Sequence, residues 1–262
     1  MDFQTNIQLK MKNLLYTTGI LLMVLMASCQ SGKSSKGQKG GDSDEGNDST
    51  IVQKSYHTTG GLWKVNRAKK VEVDGESKYV LHGEVLEYYK TPKNALSSKA
   101  IYKNGKREGL FTKYYTDGKV YYTINYHDGK MNGIKKSYHT NGKLMAETPY
   151  KNGLIGLGTK EYTPDGNLIS RMEMKVWTEK SGNSTIVYAQ MLNNGKPTKR
   201  VTFYEGALDE GKYSVREMVE IPMTGATAQK LVYNTPTTIT ISGKARSAYN
   251  NYTLLSKTIK VN

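Results

Sequence analysis

An Asn-Gly or Asp-Gly pair punctuates this chain on a fixed beat: Asn104-Gly105, Asp117-Gly118, Asp128-Gly129, Asn141-Gly142, Asn152-Gly153 and Asp165-Gly166. Successive glycines lie 13, 11, 13, 11 and 13 residues apart. Both residue types tolerate the positive φ that a two-residue type I′ turn demands, so every pair predicts a hairpin reversal. Two reversals make one unit of 24 residues. Self-similarity at a fixed period predicts a repeat architecture rather than a compact catalytic domain.

The side chains carry the same period. Tyr88, Tyr114, Tyr138 and Tyr162 form one ladder spaced 26, 24 and 24. Val120, Leu144 and Leu168 form a second, and Tyr102, Tyr126, Tyr150 and Met174 a third. Val120 and Tyr126 fall six apart on one predicted strand, which puts them on the same, apolar face. Gly83, Gly109 and Gly133 open successive units, and Gly156 and Gly158 straddle the corresponding place in the fourth. Such deviation is expected where an array must be capped.

The order Gly, four residues, Tyr, turn, Gly-Lys, apolar, Tyr, turn reads here as Gly109-Leu110-Phe111-Thr112-Lys113-Tyr114-Tyr115-Thr116-Asp117-Gly118-Lys119, then Tyr126-His127-Asp128-Gly129-Lys130. This pattern resembles the MORN-variant repeat of bacteria over about residues 82–176. The resemblance implies an antiparallel hairpin array. It also brings the antitoxin label that many members carry. Eukaryotic relatives of the motif are linked to membrane and lipid contacts, but no lipid-binding residue set is matched and no binding residue is carried over.

Residues 51–81 read as a degenerate capping segment. Ser55-Tyr56-His57-Thr58 matches Ser137-Tyr138-His139-Thr140 letter for letter, Gly60 takes the place of a turn glycine, and Asp74-Gly75 adds a hairpin signal. Trp63 is expected to be a packed capping aromatic. Across residues 177–262 the beat fades while short strand-like runs persist, of which Thr238-Ile239-Thr240-Ile241-Ser242 alternates most cleanly. These strands either close as a small sandwich or barrel or continue the same sheet, since Asn194-Gly195-Lys196 repeats the turn chemistry of the array. The fold class is all-β.

The N-terminus sets the expected compartment. Leu14 to Met26 is a mostly apolar run behind Lys10 and Lys12. It is shorter than the roughly 20 residues a bilayer span needs, so it reads as a signal-peptide core. Met26-Ala27-Ser28-Cys29 resembles a bacterial lipobox with Met26 in place of the usual Leu. That resemblance implies cleavage after residue 28 and a diacylglycerol on Cys29, the chain's one cysteine. The competing reading is a buried structural cysteine. Met11 is an alternative initiator to Met1, with the same mature product. Gln30 after the cysteine, in place of aspartate, favours the outer membrane. Residues 29–50 are Ser, Gly, Lys, Gln, Asp, Glu, Asn and Thr after the cysteine, too polar to offset their ordering entropy, and are expected to form a flexible tether. The expected address is the bacterial cell envelope.

The chain carries +15, and removing residues 1–28 takes away Lys10, Lys12 and Asp2 to leave +14. Lys106, Lys119, Lys130 and Lys143 each follow a turn glycine, so the repeat stacks them in rows at hairpin ends. Such rows suit lipopolysaccharide phosphates or acidic glycans. Equally, lysines blunt exposed strand ends against association. Tyrosines number 20 against 3 phenylalanines. Tyr115, Tyr121 and Tyr122, with Tyr89, fall outside the ladders and are candidates for a platform that stacks sugar rings. Cys29 is the candidate lipidation site.

Catalytic patterns are absent from the sequence. His57, His82, His127 and His139 have no partners at metal-ligand spacing, and no phosphate loop, Gly-x-Ser-x-Gly or His-Glu-x-x-His occurs. The expectation is a non-catalytic binding or scaffolding module, anchored to the membrane by its N-terminal lipid and serving another envelope component. It needs no cofactor, metal, small-molecule substrate or nucleic acid. The alternatives are a binder of acidic glycan or lipopolysaccharide through the Lys and Tyr rows, and an antitoxin-like partner of an envelope-acting toxin.

Overall fold

The computed structural model describes residues 50–262 except positions 93, 170, 171, 199, 215–218, 222, 225–227, 248 and 262. The apolar run, Cys29 and nearly all of the tether lie outside the described residues. All regular structure described is strand. In chain order the first part comprises β1 (Thr50–Tyr56), β2 (Leu62–Val73), β3 (Glu76–Tyr88), β4 (Leu96–Lys103), β5 (Lys106–Arg107) and β6 (Gly109–Tyr114). It continues with β7 (Val120–His127), β8 (Lys130–Tyr138), β9 (Leu144–Lys151), β10 (Leu154–Ile155), β11 (Lys160–Tyr162) and β12 (Leu168–Ile169). These form one antiparallel meander in the order β1-β2-β3-β4-β6-β7-β8-β9-β11-β12, with β5 extending the pairing on β4 and β10 that on β9.

The six dipeptides do reverse the chain, but with two chemistries. Asn104, Asp128 and Asn152 take φ of 50°, 49° and 51° with their glycines also positive, the signature of type I′. At the other three only Gly118, Gly142 and Gly166 are positive, at 85°, 84° and 97°. There the reversal is a three-residue loop: Gly118 N–H donates to the Tyr115 carbonyl at 3.0 Å and Tyr115 N–H to the Lys119 carbonyl at 2.8 Å. That is a type I turn closed by a left-handed glycine. The Asp or Asn is kept for another reason, because Asp117 Oδ1 and Asn141 Oδ1 accept the N–H two residues on, at 3.1 and 3.0 Å. The expectation of six two-residue turns is therefore corrected to three of each kind.

Strand alternation puts Ala100, Phe111, Ile124 and Tyr126 on one face as a buried cluster, with Tyr102, Tyr122, Met131 and Tyr150 packed against it. The unit-opening glycines are explained by register. Gly83, Gly109 and Gly133 sit directly across from Tyr102, Tyr126 and Tyr150, the third ladder. Their φ values of 99°, 75° and 96° strain any L side chain. Crowding is not the cause at two of them, since a Cβ on Gly109 or Gly133 meets nothing within 4 Å.

The second part contains β13 (Met172–Ser181), β14 (Ser184–Asn193), β15 (Lys196–Pro197), β16 (Val201–Glu205), β17 (Val219–Ile221), β18 (Met223–Thr224), β19 (Ala228–Tyr233), β20 (Thr237–Arg246) and β21 (Tyr252–Val261). One sheet runs β13-β14-β19-β18 with β15 on β14, and another runs β17-β16-β20-β21. Met174, Val187, Met191, Phe203 and Ile241 from both sheets share one buried core, so these strands form a sandwich instead of continuing the array. Met174, which extends the third ladder by spacing, belongs to that core. Trp63 at the other end is 48% exposed, with its ring 6.3 Å from His57.

The irregular fourth unit is where the sandwich grips the array. Ser214 N–H donates to the Ile155 carbonyl and Leu157 N–H to the Lys212 carbonyl, both at 2.9 Å. Gly156 bridges Tyr213, whose ring would lie 2.8 Å from any Cβ there. On the other side Leu157 bridges Leu254, and Thr159 Oγ1 donates to the Tyr252 carbonyl at 3.0 Å. Buried Glu161 accepts from Ser247 Oγ at 2.5 Å and Asn251 Nδ2 at 2.9 Å.

Two substitutions test the two cores. Ile124→Ala, at a side chain 1% exposed, is expected to cost about 2–5 kcal/mol in urea unfolding. Gly243→Ala drives a Cβ to within 2.5 Å of Met191 Sδ and 3.1 Å of Phe203, and is expected to cost about 1–3 kcal/mol. Values within 0.5 kcal/mol of wild type would refute the packing described.

Candidate functional site

Successive units are tied by side chains as well as by the ladder. Tyr89 OH donates to the Tyr114 carbonyl at 2.6 Å, Tyr115 OH to the Tyr138 carbonyl at 2.7 Å, and His139 Nε2 to the Tyr162 carbonyl at 2.8 Å. These donors occupy one position of three consecutive units. At the type I′ end, Gly105, Gly129 and Gly153 N–H groups donate to the carbonyls of Leu81, Arg107 and Met131 at 2.8–2.9 Å.

The sequence-predicted lysines fall at opposite ends of the sheet. Lys106 and Lys130 follow type I′ turns, whereas Lys119 and Lys143 close the three-residue loops. Most are committed to the neighbouring turn: Lys106 Nζ meets Asp128 Oδ1 at 2.5 Å, Lys119 Nζ the Thr140 carbonyl at 2.8 Å, and Lys143 Nζ the Asp165 carbonyl at 3.1 Å. The hydrogen bond from Lys106, followed by the charges of Lys106 and Lys130, holds the Asp128 carboxyl below its ordinary range. Of the tyrosines, Tyr115 is the inter-unit tie just described, and its ring stands 4.8 Å from that of Tyr121. Tyr122 lies apart from that pair in role, on the aromatic face against Phe111 at 5.7 Å.

That aromatic face holds charges that the repeat does not require. The position filled by Arg107 is Leu81, Met131 and Ile155 in the other units, and that of Lys135 is Val85, Phe111 and Thr159. Arg107 lies 5.9, 5.1 and 5.3 Å from the ring centres of Tyr102, Phe111 and Tyr126. It donates from Nε to Tyr102 OH at 3.0 Å and from Nη1 to Tyr126 OH at 3.4 Å. Lys135 Nζ stands 4.5 Å over Tyr122. Burial, and then the charge of Arg246, push its ammonium pKa down.

Arg246 comes from the tip of the β20–β21 hairpin, donates from Nη1 to Asn250 Oδ1 and from Nη2 to Tyr252 OH at 2.6 Å each, and covers the Tyr252 ring at 4.3 Å. Among the described residues none of Arg107, Lys135 and Arg246 has a carboxylate within ion-pair distance. Two partly or fully buried acids have partners of their own: Glu161 in Ser247 and Asn251, and Glu87 in Lys64 at 3.3 Å and Ser98 at 3.1 Å. Burial raises the phenol pKa values of Tyr122 and Tyr150, keeping both hydroxyls as donors near neutrality.

Clefts open at each end of this line. One of about 330 Å³ lies between Arg107, Tyr126, Lys130, Met131 and Leu154. Another of about 350 Å³ lies between Arg200, Tyr204, Lys244, Arg246 and Tyr252.

Two consecutive segments, residues 107–128 and 131–152, match the family model described as MORN repeat variant. The chain contains MORN repeats. Arg107, Tyr126, Lys135 and Tyr150 all lie within those repeats, whereas Arg246 reaches them from the sandwich. MORN repeats commonly serve as binding or scaffolding modules and are typically non-enzymatic. No curated protein and no solved structure matches the chain. Reading the sequence by motif missed Arg107, Lys135 and Arg246. The first two have a signal there, a charge at a rung that is apolar in most other units of the array.

Tyr115→Phe is expected to lower urea stability by about 1 kcal/mol through loss of a partly buried inter-unit bond. Lys119→Met, at an exposed end, is expected to stay within about 0.5 kcal/mol. Lys135 has a lowered folded pKa, so the unfolded chain holds more protons between that value and the ordinary lysine pKa. Stability therefore rises with pH across this alkaline window, and Lys135→Val is expected to flatten that rise in urea titrations at successive pH values.

Proposed function

We propose that this protein is a lipid-anchored, non-catalytic binding or scaffolding module of the bacterial cell envelope, held at the outer membrane by a diacylated Cys29. The anchor rests on the apolar run before Met26-Ala27-Ser28-Cys29 and on the polar tether behind it. Two or more acyl chains, at about 0.8 kcal/mol per buried methylene, give durable attachment where one myristoyl chain does not. The observation that carries the binding role is the aromatic face. Its rings and cations are arranged side by side, while three of the four hairpin-end lysines, Lys106, Lys119 and Lys143, join one unit to the next.

The partner is another envelope component, a protein or an acidic glycan. A protein partner has a main-chain route as well, because β1 leaves one edge of the meander unpaired among the described strands and an edge accepts an added strand. The antitoxin-like role that the family label suggests requires a toxin acting in the same compartment.

The full chain and a Cys29→Ala variant, each with a C-terminal tag, separate these statements. Wild type is expected to incorporate labelled fatty acid, fractionate with outer membrane and crosslink to one envelope component, and the variant to do none of these. Equal solubility of both proteins would remove the anchor.

A further inference from the structure

The repeat supplies its own control for what a face residue should be. A rung of a single-layer sheet that is half-buried or buried is stable when apolar, as the half-buried Leu81 and Met131 and the buried Ile155 and Val85 are. Arginine and lysine at these rungs each carry a desolvation cost; the Tyr102 and Tyr126 hydroxyls offset it at Arg107, while at Lys135 burial still pushes the ammonium pKa down. Lys135 is further opposed by Arg246, a like charge brought to it by a different part of the fold. Positions where the pattern of a repeat is broken by a charge with no ion-pair partner are candidates for selection by function.

The breaks are also connected in space. From the cleft at Arg107 the face passes through Tyr126 to Tyr150 and Tyr122 under Lys135, then to Arg246 and Tyr252. It ends in the second cleft at Lys244, 4.8 Å over the same Tyr252 ring, and Arg200. After burial, Tyr252 and Tyr126 add to the raised phenol pKa of Tyr150, and Arg246 adds to the lowered ammonium pKa of Lys135.

We infer that this line is the binding track for an acidic oligosaccharide, with pyranose rings laid on the tyrosines and their carboxylates held by Arg107, Lys135 and Arg246. The inference rests on the binding-module reading and names the ligand class for the same face. A saccharide fits better than an acidic peptide for a physical reason. The backbone groups of the central strands are consumed by the sheet ladder, so recognition on this face is limited to side chains. Rings suit flat pyranose faces, phenols exchange hydrogen bonds with sugar hydroxyls, and guanidinium groups take carboxylates bidentately. An extended peptide draws its affinity from main-chain pairing, which the face does not offer.

The test uses the full chain and tetragalacturonate in isothermal titration calorimetry, with cellotetraose, hexaglutamate and phosphatidylglycerol vesicles as competing probes. Tetragalacturonate is expected to bind at least tenfold more tightly than cellotetraose, and to weaken at least tenfold between 50 and 500 mM salt. Variants follow the repeat: Arg107→Met copies Met131 and Lys135→Val copies Val85. Each is expected to weaken tetragalacturonate at least tenfold, and Lys135→Val to leave the melting temperature unchanged or higher, because it replaces a desolvated charge by the residue another unit uses. Lys143→Ala, at the far hairpin end, is expected to bind as wild type. Arg246→Gln is expected to behave like the two face variants.

No detectable binding of tetragalacturonate, or binding unaltered in all three face variants, overturns the proposal. Equal or tighter binding of hexaglutamate or of the vesicles also overturns it, by assigning the track to acidic protein or to lipid phosphate. Failure of the Cys29 experiment with tetragalacturonate binding intact would remove the address and keep the ligand. The converse would keep the anchored module and discard this ligand.

Discussion

The carbonyls of Tyr114, Tyr138 and Tyr162 are the points on which the array depends. A bulge at Tyr114 and another at Tyr138 break the regular pairing just before the hairpin turn, and a bulge leaves backbone groups without ladder partners. The preceding unit supplies the donor, Tyr115 for Tyr138 as Tyr89 does for Tyr114. The turn, the bulge and the inter-unit tie are thus one device repeated every 24 residues or so. It couples neighbours and only neighbours, which makes the array one-dimensional in its energetics.

A one-dimensional array needs ends, and the ends differ here. The first strands simply continue the sheet, with Ile51 and Val52 exposed at its edge. At the other end the spacing falters at Gly156 and Gly158, and the sandwich enters from two sides. Tyr213 takes the space above Gly156, while Asn251 and Ser247 take the carboxylate of Glu161. Gly156 is conformationally ordinary, so its lack of a side chain serves the approach of that ring. The same docking delivers Arg246 to the aromatic face, so the cap and the candidate site share a hairpin.

Period, fold class and the shared face of Val120 and Tyr126 were legible in the sequence because they follow from alternation and turn chemistry alone, whereas Tyr122, set there outside the ladders, packs on the same aromatic face. The split of the turns into two kinds was not. Asn-Gly and Asp-Gly serve a type I′ turn through backbone tolerance and a type I turn with a left-handed glycine through a side-chain cap, and the dipeptide is identical in both. Whether residues 177–262 continued the sheet was open for a similar reason, since Asn194-Gly195 makes the same turn in a sandwich as in an array. The lysines were conspicuous by position but are mostly consumed as ties. The cations of the aromatic face were missed because attention went to residues that obey the repeat. Arg107 and Lys135 are visible only as departures from it, and Arg246, more than 90 residues after Tyr150 in the sequence, becomes part of the face only through the fold.

The stability of the array and the chemistry of its face pull against each other. Every rung given to a cation loses apolar burial in a sheet that has only one layer to bury it. The loss is spread thinly, with Arg107 and Lys135 in adjacent units and Arg246 borrowed from the sandwich, so no single interface between units bears it all. Aromatic neighbours reduce it further, since the ring faces of Tyr122, Phe111 and Tyr126 attract the charges that no carboxylate neutralises. Tyrosine in place of phenylalanine then follows from the same constraint. A rung that must both pack and stand beside an unpaired cation is best filled by a ring with a hydroxyl at its edge, and Arg107 uses two of those hydroxyls already.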